Sequence, residues 1–300
     1  MQPQNSAKLE DLRHGLTEKS QSYFSMVFWR FLKHKLAIIG LIIIGVLLIM
    51  TIFSDLISKH DITEQDILNR FQPPSTEFWM GTDELGRDVF ARILAGGKIS
   101  LSLGFIVSIT SVIIGSFIGA ISGYFGGWLD TVLMRFVDFM ISLPRLAVLL
   151  VVAYMVGPGF TNMVVVLVLF GWMGIARIVR AQVLSLKEQE FVQAARALGV
   201  STPRIIFSHI LPNTLAPIIV SATLGVGSAI LSESYLSYLG LGIQPPTPSW
   251  GNMLINARQY LSTAPWLALW PGMFIFCTIL AFNFIGDGLR DAFDPKLKGR

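Results

Sequence analysis

Charge is scarce in this chain: 14% of its 300 residues are Asp, Glu, Lys or Arg, against about 25% in an ordinary soluble domain. With 53% hydrophobic side chains and a mean hydropathy of +0.62, it has too much apolar surface to remain disordered. The single cysteine, Cys277, excludes an intrachain disulfide. The four histidines (His14, His34, His60 and His209) are scattered, so no metal-ligand spacing exists. Sustained alternation of apolar and polar residues is missing, which argues against a barrel. No G-x-x-x-x-G-K-[ST] is present; Gly97-Lys98 is followed by Ile99, so no phosphate-cradling loop forms. G-x-S-x-G, H-E-x-x-H and a Cys/His nucleophile pair are absent too. The chain therefore reads as a non-enzyme with no catalytic residue, metal or cofactor of its own. If nucleotide energises it, another chain hydrolyses that nucleotide.

What is present is apolar sequence in runs of about 20 residues, the length that crosses a bilayer as a helix. Residues 1–35 form a polar, basic tail with six Lys/Arg. Residues 36–57, LAIIGLIIIGVLLIMTIFSDLI, follow. Their apolar core exceeds a signal-peptide h-region and no A-x-A site follows, so an uncleaved first helix is expected. Five further spans are expected near 99–122, 132–156, 161–182, 212–234 and 265–286. This predicts an all-α membrane protein of six transmembrane helices with both termini on one side. The tail, the 177–211 loop and residues 288–300 hold fifteen Lys/Arg, whereas 58–98 and 235–264 hold six. The positive-inside rule then puts both termini in the cytoplasm, in the cell membrane. The net charge of +4 marks location, not nucleic-acid binding. The outer segment 58–98 is expected to carry a small helix around Asp88–Ala95. Trp250, Trp266 and Trp270 fall where an interfacial aromatic belt would lie.

Polar residues inside the spans are the candidate sites. Gly115, Gly119 and Gly123 share one helix face and allow close backbone approach. Either packing within this subunit or a seam against a second one explains them. Pro144 should kink the third span. Asp138 and Arg145 are seven residues apart and would share a helix face, as a structural pair or at an interface. Glu233 lies near the outer end of the fifth span. Charges in hydrocarbon cost a few kcal/mol or more unless paired or wetted, so Asp138, Arg145 and Glu233 are candidates for a translocation pathway or for intramembrane polar structure. Snorkelling to the interface is the rival for Glu233.

The loop 185–211 offers a surface for a partner. Phe191 to Leu198 has helical periodicity, and Ala194, Ala195 and Ala197 keep it thin. Gly199 suits a helix C′ position, while Ser201 and Pro203 suit the start of a second helix. An amphipathic hairpin resting on lipid headgroups is an equal reading of the residues alone.

Several stretches resemble permease subunits of ABC importers. The pattern E-A-A, three residues, G, nine residues, I-x-L-P is matched by Gln193, Ala194, Ala195, Gly199, Leu211 and Pro212. Gln193 stands at the Glu position and His209 at the Ile position. GTDELGRD (81–88), SGYFGGWLDTVLMR (122–135), WMGIARIVR (172–180), SESYLSYLGLGIQPPTPSWG (232–251) and FNFIGDGLRDAFDP (282–295) are similar to elements of the "C-type" permeases of the oligopeptide/dipeptide/nickel family. The resemblance implies a type I ABC importer permease fold with a core over 99–287. It implies that the loop is a coupling helix docking on an ATPase, with Arg196 and Arg204 as candidate ion-pair partners. It further implies a heterodimer with a homologous "B-type" permease, two ATPase subunits carrying ATP and Mg, an extracytoplasmic substrate-binding protein, and a peptide substrate. Nickel or glutathione import within the family, or a proton-driven carrier outside it, remain as alternatives.

Overall fold

The structure is a computed structural model, and residues 23–294 are described. The basic positions before residue 23 and after residue 294 lie outside it. Among the described residues every regular element is helical, apart from one isolated bridge between Thr82 and Asp88. In chain order these are α1 (Tyr23–Lys33), α2 (Lys35–Ile52), α3 (Val89–Phe125), α4 (Gly127–Ser142), α5 (Arg145–Val156), α6 (Phe160–Leu186), α7 (Glu190–Ala197), α8 (Leu215–Tyr238), α9 (Trp250–Ala257) and α10 (Trp266–Phe293). Short helical turns lie in some of the connections, and 58–88 and 239–249 are mostly irregular. Among the described residues five helices are long and apolar enough to cross a membrane, and a bent pair of helices can make a sixth crossing.

The expected third span over 132–156 is not one helix. α4 and α5 meet at Leu143-Pro144 with a bend of 91°. Pro144 lacks an N–H and restricts the residue before it to extended backbone, so the helix stops and restarts. α8 is also entered irregularly. Thr202 to Tyr238 runs as one apolar span, but Ile205–Ile210 is wound as π-helix and Leu211–Thr214 as 3₁₀. Pro212 cannot donate to the preceding turn, and local rewinding satisfies the freed groups. Asn213 Nδ2 donates to the His209 carbonyl at 2.6 Å.

Segment 58–98 differs from expectation. No separate helix forms near Asp88–Ala95, because those residues are the first turns of α3 itself. Asp88 is its N-cap and accepts from the Phe90 N–H at 2.9 Å. Burial pushes the Asp88 carboxyl up from its ordinary value, partly offset by that amide. Just before it, Asp83 Oδ1 accepts from the amides of Leu85 and Arg87 at 2.9 and 3.0 Å, while Arg87 Nε reaches Oδ2 at 2.6 Å. The GTDELGRD stretch is therefore a hydrogen-bonded knot that starts the longest helix.

α3 packs along α6, and the glycine stripe makes this possible. A Cβ at Gly115 would lie 2.6 Å from the Trp172 carbonyl oxygen, and one at Gly123 would lie 2.9 Å from that of Arg180. Gly119 meets the Ala176 carbonyl in the same way. All three glycines thus face α6 of this chain and are used up in its own packing. α2 and α10 close the other side, with Gly40 against the Ala281 carbonyl. Large apolar side chains on α2, among them Ile42, Ile49 and Ile52, stay exposed, as a lipid-facing helix requires.

Candidate functional site

Three places hold the polar and turn residues singled out above. The first is the hairpin between α6 and α8. Its leading helix α7 ends at Leu198, where the Gly199 N–H bonds the Arg196 carbonyl and the Val200 N–H bonds the Ala195 carbonyl, at 3.0 and 3.1 Å. That pair of bonds is a Schellman close, and it needs the positive φ of +74° that Gly199 adopts. Val192 and Ala195 point inward onto Ile205, Ile206 and Ile210. Ala195 is therefore a packing residue. Leu211 is half-buried in the same cluster, and Pro212 is exposed. The outward face is built by Phe191, Ala194 and Leu198, at spacings of three and four. Leu198 is 84% exposed and Phe191 44%; neither was singled out from the sequence, although their helical phase relative to Val192 and Ala195 carried the signal. Gln193 donates to the Glu188 carbonyl at 3.1 Å, so the residue at the Glu position braces the turn before the helix. The Arg196 guanidinium lies 5.6 Å from the centre of the Tyr124 ring, a cation–π contact within the chain. Arg204 is exposed.

Beside the hairpin, Arg180 of α6 binds Asp130 of α4 through two parallel bonds of 2.5 and 2.6 Å. Ser122 also donates to Asp130, and Lys187 Nζ reaches the Gly123 carbonyl at 3.1 Å. This bidentate clamp ties α3, α4 and α6 together where the hairpin emerges. It was missed because residues fifty apart carry no periodic signal.

The second place is the α4–α5 bend. The expected pairing of Asp138 with Arg145 does not occur. The 91° turn removes them from a common face, and Asp138 instead pairs with Arg177 of α6. Arg145 opens α5 and lines a cavity between α3, α6 and α8.

The third place surrounds Glu233, which is fully buried at 0% exposure. It neither snorkels nor lines that cavity. Its Oε1 accepts from the hydroxyls of Ser237 and Ser249 at 2.7 and 2.9 Å, and Oε2 from Ser100 at 3.4 Å. Each of these hydroxyls accepts in turn from a backbone amide: Ile243 to Ser237, Asn252 to Ser249 and Trp250 to Ser100, at 3.2, 3.1 and 3.2 Å. The carboxylate thus holds the N-terminus of α9 against α3 and α8 through three relays. Gly96 and Gly97 leave room for the close approach. Trp250 is also fully buried and donates to the Ile93 carbonyl at 2.9 Å. It is a core residue, not a member of an interfacial belt.

Glu233→Leu is expected to lower thermal stability in detergent far more than Glu233→Gln. Leucine leaves three buried hydroxyls without an acceptor, at about 1–3 kcal/mol for each unsatisfied group. A melting curve of Glu233→Leu matching the wild type would show that the relays are dispensable.

The geometry can be set beside known proteins. The sequence model of the binding-protein-dependent transport system inner membrane component matches residues 115–299. That of the N-terminal TM domain of oligopeptide transport permease C matches residues 22–74. The chain is 46% identical over 266 residues to the dipeptide transport system permease protein of Alkalihalophilus pseudofirmus, covering 89% of this chain and 88% of the relative. Identity is 41% over 283 residues to the oligopeptide transport system permease protein of Bacillus subtilis, covering 94% and 93%. It is 40% over 274 residues to the glutathione transport system permease protein of Escherichia coli, covering 91% and 90%. With matches of this extent over a bundle of apolar helices, the chain belongs to the inner-membrane permease family of binding-protein-dependent transport systems.

Proposed function

We propose that this chain is one of two permease subunits of an ATP-driven importer that moves oligopeptides or dipeptides across the cytoplasmic membrane. The other permease is a homologous subunit, two ATPases carrying ATP and Mg lie on the cytoplasmic side, and an extracytoplasmic binding protein delivers the peptide. The relatives named for dipeptide and oligopeptide transport support the substrate class. The excess of Lys/Arg in the 177–211 loop over the outer segments supports a cytoplasmic hairpin and cytoplasmic termini.

The observation that carries the coupling role is the apolar outward face of α7. Leu198 and Phe191 project from this loop as exposed apolar side chains, and burial of an exposed leucine against a groove contributes about 1.5–3 kcal/mol. Closure of the ATPases on ATP would push this tip. The push would reach the bundle through Val192, Ala195 and Ile205, and through the Arg180–Asp130 clamp beside them. A proton-driven carrier is disfavoured: Asp138 is ion-paired and Glu233 is sealed under three hydroxyls.

The test is purification of tagged chain from native membranes in mild detergent. Recovery of a second multi-span permease and P-loop ATPases is expected. Leu198→Glu is expected to cut ATPase recovery by about tenfold, in line with the loss of one buried leucine, while the sister permease stays bound. Isolation of the wild-type chain alone, under conditions that keep a known importer intact, would refute the assignment.

A further inference from the structure

The cavity at the α4–α5 bend holds an unpaired cation. Its volume is about 560 Å³, within the range of about 300–1,000 Å³ typical of small-molecule sites. Val107 to Ser111, Leu167 to Ile178 and Ser221 to Ala229 line it. These lie near the middle of their helices, so the cavity is at mid-depth in the bundle. Gly174 opens onto the space, since a Cβ there would meet nothing within 4 Å, whereas Gly171 and Gly225 on the same wall make room for the Ser111 and Ser108 hydroxyls.

Two polar groups of this wall lack partners. Arg145 forms no ion pair or hydrogen bond among the described residues, because the Pro144 bend has carried it away from Asp138. Ser111 is only 3% exposed, and its hydroxyl has no partner. Ser108, one turn away on the same helix, is already satisfied by the Ala222 carbonyl at 2.6 Å. An arginine at mid-depth costs a few kcal/mol or more unless an anion or water meets it. The N-terminus of α5, which has no side-chain cap, adds positive potential at the same spot.

The geometry points to this cavity as a half-site for the free α-carboxylate of a peptide in transit, held by the Arg145 guanidinium. The inference rests on the peptide-import reading above and adds a recognition element within the permease itself. Arginine suits the task because its planar fork pairs with both carboxylate oxygens. The mostly apolar remainder of the wall tolerates varied side chains, so the terminus is the feature that any peptide shares.

Uptake of a labelled tripeptide and of its C-terminal amide is to be measured in cells carrying the whole importer. The chain is wild type, Arg145→Gln or Arg145→Lys, with membrane abundance and partner recovery checked in parallel. The binding protein is the same in every strain, so a change in the acid-to-amide ratio belongs to the permease. Arg145→Gln is expected to lower maximal uptake of the acid by about tenfold, the size of one charge-assisted pair, with amide uptake little changed. Arg145→Lys is expected to restore much of the acid's rate. Equal losses for acid and amide, loss of the sister permease, or no change at all would overturn the carboxylate assignment. A wild-type importer that carries neither probe would instead overturn the peptide reading.

Discussion

Replacing Gly119 with leucine is expected to stop the permease from accumulating in folded form. The α3–α6 contact is backbone against backbone along three successive turns. At Gly119 an added Cβ would strike the Ala176 carbonyl and approach Val179 Cβ and the Arg180 amide at 2.9 and 3.0 Å. Those are rigid neighbours, so α6 must move away as a unit. Overpacking of this kind costs about 1–3 kcal/mol, occasionally more. Here the displacement also pulls Arg180 from Asp130 and Lys187 from the Gly123 carbonyl. Gly45 is the control, since a Cβ there meets nothing within 4 Å and Gly45→Leu is expected to be well tolerated. Monodisperse yield and melting temperature in detergent provide the readout. Wild-type behaviour of Gly119→Leu would mean that the seam is looser than its distances require.

Replacing Gly199 with valine is expected to abolish peptide uptake while leaving membrane insertion nearly intact. Space is not the obstacle, because nothing lies within 4 Å of the added Cβ. The obstacle is φ of +74°, which costs an L-residue about 1–2 kcal/mol and is least accessible to a β-branched one. Relief of the strain breaks the bonds from Gly199 to Arg196 and from Val200 to Ala195, so the Leu198 tip swings out of register with the spans. Asparagine tolerates this conformation better, and Gly199→Asn is expected to retain part of the activity. Uptake normalised to membrane abundance separates the two effects. Normal uptake by Gly199→Val would remove the coupling role from this loop.

Much of the molecule was legible in the residue order. Runs of about 20 apolar residues dictate helices wherever backbone groups have no water to bond, and five long helices with a bent pair follow from that. The Gly199 cap and a distortion at Pro144 were legible for the same reason, since each depends on the φ/ψ range of one residue, although the full break at Pro144 was not. Which side chains meet across the bundle was not. Asp138 and Arg145 shared a face only while the span was taken as one kinked helix, and the 91° break left one with Arg177 and the other facing a cavity. Glu233 had three readings (pathway, intramembrane polar structure, or snorkelling) and Trp250 was expected at the interface, yet both lie in the core because α9 folds back between α3, α8 and α10. Their partners come from segments up to 157 residues away in the chain, beyond the reach of any local period. The sequence by itself determined the solvent, the helices and their breaks, because those are one-residue and one-turn energetics. The assignment of each buried polar group to a seam, a relay or a cavity was decided only by tertiary packing, since it is set by which helix lies opposite.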